Sequence, residues 1–247
     1  MKPHLYIATP IMNDNVRFNY ALALTETTAM LRGMGMQVTI DILAGGSLLV
    51  KTRNQLVKRF MESDATHMLC IDSDLAWPAE AILAMLRQDK DAICGVYPIR
   101  HVQESGNNRF IFRPEYDPKG GIAHEGHLLK LESAPAGFLL LKRETIQKMM
   151  DFHPDCYCKP KFKEIEHEDC FYFFNTEIYD NEFWGEDYVF CRRLKEAGLE
   201  LWADPLIMFD HAGVVGQMTE VLITDAPAEE VEAKPTKPEL ELIRDVA

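Results

Sequence analysis

Short apolar runs alternate with amphipathic stretches over the first hundred residues, and this rhythm predicts strands alternating with helices. Residues 5–9 form the first apolar run, broken by Pro10 and the polar Asn13-Asp14-Asn15 turn. Residues 17–34 carry apolar side chains at helical spacing (Leu22, Leu24, Met30, Leu31) and stop at Gly33 and Gly35. A second strand over 38–42 closes at Gly45-Gly46. It is followed by a helix over 48–63 with Leu49, Leu56, Val57 and Phe60 on its inner face. A third strand, 68–71, ends at Asp72; Pro78 opens a helix over 79–88, and 92–96 reads as a fourth strand. Strand and helix in regular alternation predict a parallel α/β layer.

The second half is less regular. Residues 110–112 and 127–131 read as short strands around Gly120-Gly121, 137–141 as an apolar strand, and 143–150 as a helix. Residues 151–179 mix Cys, aromatic and charged side chains without a period and read as a long functional loop. A helix over 188–197 ends at Gly198, and 199–202 is a short strand. From residue 224 Pro, Ala, Glu and Lys dominate, which predicts little fixed structure. The expected division is therefore one domain over 1–223 and an acidic, Pro-rich tail over 224–247.

The chemistry concentrates at strand ends. Asp72-Ser73-Asp74 follows the buried-type run Met68-Leu69-Cys70-Ile71, and ligands of open α/β sheets bind outside the carboxyl ends of such strands. Two carboxylates one residue apart suit a divalent cation and the phosphates it carries, because Mg²⁺ and Mn²⁺ take hard oxygen ligands. A solvated turn or a helix cap would use the same residues. Gly185-Glu186-Asp187 opens an amphipathic helix; there an acid either caps free N–H groups and favours the helix dipole or serves as a general base on a rigid element. His211 closes the apolar run Leu206-Ile207-Met208-Phe209, within reach of a metal or simply hydrogen-bonded at a strand end. Arg53, in Thr52-Arg53-Asn54, has the forked donors that a diphosphate takes, although an exposed helical Arg is ordinarily just solvated.

In this order, Thr9-Pro10, Arg53-Asn54, Asp72-Ser73-Asp74 with Trp77-Pro78, Ala136-Gly137-Phe138-Leu139, Gly185-Glu186-Asp187 and Asp204-Pro205 leading to His211-Ala212-Gly213, the motifs resemble those of GT-A glycosyltransferases. The resemblance is to small proteins similar to glycosyltransferase family 2, including bacterial and phage ones, and covers about residues 4–215. It implies a single α/β domain with a mixed, mostly parallel central sheet flanked by helices. It further implies a metal-dependent transfer of a sugar from a nucleoside-diphosphate sugar to an acceptor hydroxyl, inverting, with Mn²⁺ or Mg²⁺ as cofactor. Carried over to this chain, Thr9 and Pro10 border the nucleotide base and Arg53 approaches the donor diphosphate. Asp72, with Ser73, lies near the ribose and the metal, and Asp74 and His211 ligate the metal. Asp187, paired with Glu186, is the acceptor-activating base, while Gly137 and Trp184 line the acceptor side. The family pattern continues past the His with a basic or aromatic segment that closes over the donor; here Val214-Val215-Gly216-Gln217 follows instead.

A competing cluster lies in the irregular loop. His153, Cys156, Cys158, His167 and Cys170 could bind zinc, but Cys-x-Cys and His-x-x-Cys steps depart from the usual Cys-x-x-Cys spacing, and reduced thiols are the simpler reading.

Composition narrows the field. The 247 residues are 47% hydrophobic, enough for a sizeable core. A net charge of -13 argues against a broad nucleic-acid or anionic-membrane footprint. No stretch approaches the ~20 apolar residues of a membrane span, no signal-peptide pattern opens the chain, and six Cys read as reduced thiols, so the expected compartment is the cytoplasm. A nucleotidyltransferase would share the strand-end carboxylates but carry a Gly-rich basic loop after the first strand, which Asn13-Asp14-Asn15 is not. A non-catalytic nucleotide-sugar-binding module would lack the metal pair or the base. The acceptor stays open among a glycan, a protein, a lipid-linked sugar and a modified nucleic-acid base.

Overall fold

The computed structural model describes residues 2–12, 15–44, 48–100, 108–159 and 169–218. The expected Asn13-Asp14-Asn15 turn (in part), the Gly45-Gly46 closure, His167 and the tail from residue 224 lie outside the described residues.

The first half follows the predicted alternation: β1 His4–Ile11, α1 Phe18–Gly33, β2 Gln37–Ala44, α2 Leu49–Glu62, β3 His67–Ile71, a two-residue β4 Leu75–Ala76, α3 Ala79–Gln88 and β5 Ala92–Cys94. Then come β6 Arg113–Pro114, β7 His124–Glu125, β8 Leu128–Ser133, β9 Phe138–Lys142, α4 Arg143–Phe152, and the short ladder β10 Tyr157–Cys158 with β11 Cys170–Phe171. The hairpin β12 Glu177–Tyr179 and β13 Glu182–Trp184 leads into α5 Glu186–Glu196, β14 Leu201–Ala203, β15 Met208–His211 and β16 Val214–Gln217.

The main sheet runs β2-β1-β3-β9-β5-β14-β8-β6, with β7 also on β8. Only β9 and β8 oppose the rest: both β3 and β5 are antiparallel to β9, β14 is parallel to β5, and β6 and β7 are antiparallel to β8. The sheet is thus mixed but mostly parallel in strand direction, with helices on both faces, a GT-A-like α/β arrangement.

The central strands β1, β3, β9, β5 and β14 are buried on both sides, so the period of two sorts their side chains into two cores rather than into core and solvent. Tyr6, Ala8, Met68, Cys70, Leu139 and Leu141 face one core with Leu56, Val57 and Phe60 of α2, Ile146 and Met149 of α4, and Phe190 and Leu194 of α5. Leu5, Ile7, Leu69, Ile71, Phe138 and Leu140 face the other with Tyr20 and Leu31 of α1 and Ile82 and Met85 of α3. Burying one such side chain contributes about 1.5–3 kcal/mol.

Several sequence expectations are corrected. Leu22 is exposed and Tyr20, Ala23, Thr27 and Leu31 form the buried face of α1, because Leu22 and Leu24, two residues apart, cannot share a helical face. The expected strand at 110–112 reduces to one bridge between Phe110 and Pro98, and the pairing moves to Arg113–Pro114. The stretch 151–179 is not a bare loop: α4 runs on to Phe152, a 3₁₀ turn spans Pro154–Cys156, and short ladders follow. Helix α5 begins two residues before its predicted start, at Glu186.

Between β1 and β3 the strand order reverses: the chain steps from β1 to β2 on one side and returns past β1 to β3 on the other. A crevice opens at the carboxyl ends of the strands at such a point.

Candidate active site

Three pieces of chain meet at that crevice. Asp72 and Asp74 follow β3. Arg53 lies near the start of α2, the helix crossing from β2 to β3, and Glu186 and Asp187 form the first turn of α5 ahead of β14. Each helix start lies at the same end of the sheet because each helix runs antiparallel to the strand it precedes.

Arg53 is the hub. Its side chain is 3% exposed, packs against the Phe174 ring at 5.6 Å, and bonds Asp72 Oδ1 through Nη2 at 3.0 Å. Glu186 Oε1 lies 3.9 Å from Nε and Asp187 Oδ1 4.0 Å from Nη2. Among the described residues, the buried Arg53 Nε and Nη1 and Asp187 Oδ1 lack a hydrogen-bond partner. A buried guanidinium with unused donors is suited to a further anion such as a phosphate. Asn54 anchors this arrangement: its amide donates to the Phe174 and Val50 carbonyls at 2.7 and 2.8 Å and accepts from Phe174 N–H at 3.0 Å.

Burial pushes the Asp187 carboxyl up to about 6; Arg53 opposes the rise, Glu186 and Asp72 reinforce it, and a backbone hydrogen bond at Ala136 works against it. The N-cap of α5 is Gly185, which has no side chain to cap with, and the Asp187 carboxylate in the first turn lies toward the Arg53 cluster.

The second group sits beside the first. In the small sheet β16-β15-β4, His211 pairs with Leu75, and Ala212 N–H donates to the Asp74 carbonyl at 3.1 Å, which carries the imidazole to Asp74. The Ala212-Gly213 turn that allows this has φ of 57° and 99°, the left-handed region that favours glycine. A carbonyl only accepts, so His211 Nδ1–H donates to Pro98 O at 2.6 Å and Nε2 is left with its lone pair toward Asp74 Oδ2, 3.6 Å away. Arg100 lies between them: its Nε donates to His211 Nε2 at 3.1 Å and its Nη2 pairs with Asp74 Oδ2. Burial works against ionisation of Asp74, but the charge of the Arg100 guanidinium paired with it outweighs burial and holds the carboxyl below its ordinary value.

The other sequence-flagged residues fall in varied places. Gly137 lies under the site: its carbonyl accepts from Asp72 N–H at 2.9 Å, and a Cβ there would overlap Tyr97 Oη and the Asp72 carboxylate. The Ser73 carbonyl accepts from Arg17 N–H at 3.1 Å. Thr9 is fully buried at the end of β1 with its hydroxyl on Tyr20 Oη at 2.6 Å, and Pro10 is buried beside it. Trp184 and Tyr188 flank the start of α5 and line a cleft of about 610 Å³ with Tyr116, Arg113, Glu132 and Arg192.

In the cysteine-rich stretch, ligand atoms of His153, Asp155 and Cys156 lie within 4.8 Å of one another. Burial pushes the Cys156 thiol up, against the thiolate that zinc needs. Cys158 faces Cys170 across the β10–β11 ladder.

Sequence reasoning missed Arg100, Pro98 and Tyr97, whose ring packs edge-on against His211 at 5.0 Å. They follow the carboxyl end of β5, and the strand-end rule that singled out Asp72 applies equally there.

No family model and no curated protein matches this chain. Among solved structures, A197 from STIV is 16% identical over 84% of this chain and 85% of its own, with a TM-score of 0.49. GalNAc-T7 with UDP, GalNAc and Mn²⁺ is 10% identical over 85% of this chain but only 44% of its own, at 0.46. Drosophila β1,4-galactosyltransferase 7 in complex with manganese, UDP-Gal and xylobiose is 17% identical over 81% and 65%, at 0.42. No helix among the described residues is long and apolar enough to cross a membrane.

Proposed function

We propose that this chain is a metal-dependent glycosyltransferase that moves a sugar from a nucleoside-diphosphate sugar to an acceptor hydroxyl. The observation that carries the reading is the buried Arg53, with spare donors, tying Asp72 to a raised-pKa Asp187 beside the Asp74–His211 pair.

The donor set fits a divalent ion: one carboxylate oxygen and one imidazole nitrogen whose lone pair is oriented by the Pro98 carbonyl. Because Mg²⁺ prefers all-oxygen surroundings, the nitrogen favours Mn²⁺. Asp74 and His211 would hold the ion, and when bound it would neutralise the charge that builds on the departing diphosphate.

The chain's own side chains do the rest. Arg53 offers its unused N–H groups to the diphosphate, and Asp72, held by Arg53, is placed for the ribose. The Thr9-Pro10 end of β1 borders the base through its backbone, since the Thr9 hydroxyl is already engaged. Asp187 takes the acceptor proton; a carboxyl near 6 is ionised at neutral pH yet more basic than an ordinary Asp. Trp184 borders the acceptor in the cleft along α5. Attack by an acceptor deprotonated at Asp187, on the face of the sugar away from the departing diphosphate, would give inversion.

Asp187→Asn tests this. The variant should fold, bind nucleoside diphosphate with Mn²⁺ as the parent does, and lose transfer by about 10²–10⁴-fold. Transfer near the parental rate under saturating donor would remove Asp187 as the base.

A further inference from the structure

The Arg100 guanidinium stands where the Asp74–His211 pair converges. Its Nε donates to His211 Nε2 at 3.1 Å and its Nη2 pairs with Asp74, so both atoms suited to a divalent ion are engaged by an organic cation. A metal and a guanidinium cannot share these partners: each needs the same carboxylate and the same imidazole lone pair, and they repel one another. The two cations of the site differ in freedom. Arg53 is 3% exposed and held among three acids, whereas Arg100 is 61% exposed on a long stem that can swing. Released from Asp74, it remains within a side chain's reach of anything the ion carries, and its fork matches phosphate oxygens. Val214–Gln217, the strand after His211, brings no cation to this side.

We propose that Arg100 is an exchanging residue: it occupies Asp74 and His211 when no divalent ion is bound, and transfers its guanidinium to the donor diphosphate when the ion arrives. The inference rests on the metal reading of Asp74 and His211. It has a signature that a merely structural arginine lacks. Arg100 opposes the bare ion but favours the ion with its diphosphate, so removing it must move the two affinities in opposite directions.

The test is calorimetry on the full chain with two probes that need no knowledge of the donor base: Mn²⁺ alone, and inorganic pyrophosphate in the presence of Mn²⁺. Arg100→Ala should bind Mn²⁺ alone about fivefold or more tighter, through loss of a competing cation, and pyrophosphate–Mn²⁺ about fivefold or more weaker, through loss of a charge-assisted bond. Arg100→Lys, which keeps the charge but not the fork, should lie between for both. Asp74→Ala serves as the reference for loss of the metal site. If Asp74→Ala abolishes Mn²⁺ binding and Arg100→Ala leaves it unchanged, or shifts both affinities the same way, the exchange is wrong and the metal assignment stands. If neither the parent nor Arg100→Ala binds Mn²⁺, both are wrong.

Discussion

Asp187 shows how much one carboxyl can cost the fold that holds it. Its folded value near 6 lies above the ordinary 3.8, so between about pH 4 and 6 the native state binds more proton than the unfolded chain, and stability falls as pH rises through that window. Two units correspond to at most about 3 kcal/mol. Asp187→Asn, which mimics the neutral acid, should therefore be more stable than the parent at pH 7–8 by up to that amount and nearly equal to it at pH 4, a comparison that urea denaturation at two pH values makes. The parent's transfer rate should in turn fall as pH drops below about 6, since the base is then protonated. A variant no more stable than the parent at pH 8 would mean that Arg53 stabilises the carboxylate more than burial penalises it.

Among elements, the junction between α2 and the Phe173–Phe174 stretch carries the site, and Asn54 is its fastener. Asn54→Ala leaves both polar groups of Phe174 buried without partners and should cost about 2–3 kcal/mol, with a fall in diphosphate affinity because Arg53 and Phe174 lose their mutual register; chemical denaturation and calorimetry read the two effects. Asn54 also marks the limit of sequence reading. The repeating elements were legible because period and punctuation are local: α3 begins and ends at the predicted residues 79 and 88, and Asp72, Arg53, Asp187 and His211 stood out as polar residues at element ends. What was not legible depends on distant pairing. The two-residue strand Leu75–Ala76 exists only because β15 lies beside it, and Arg100 acquires meaning only from a histidine 111 residues away. The buried face of α1 is completed by Trp77 against Tyr20 and Thr27, contacts that composition does not announce.

For the whole molecule, one sheet divides two cores, and neither core has a wall of its own. Phe60→Ala on the α2 face should cost about 3–5 kcal/mol and Ile82→Ala on the α3 face about 2–5. Both should shift a single cooperative transition, seen at the same midpoint by far-UV circular dichroism and by the fluorescence of the buried Trp77 and Trp202. Two separated transitions in either variant would show the faces melting independently.

The strand order has a consequence for birth on the ribosome. Strand β9, from residues 138–142, wedges between β3 and β5, and β14, from 201–203, lies between β5 and β8. A nascent chain can lay β1, β2 and β3 side by side, but β5 finds no neighbour until forty-odd residues later, and the carboxylates of α5 that surround Arg53 emerge later still. Until then that arginine has only Asp72 to accompany it. The growing chain therefore holds its cationic centre open to water, and the crevice around it closes as a late act of synthesis, at the pace of long-range pairing rather than of local helix growth.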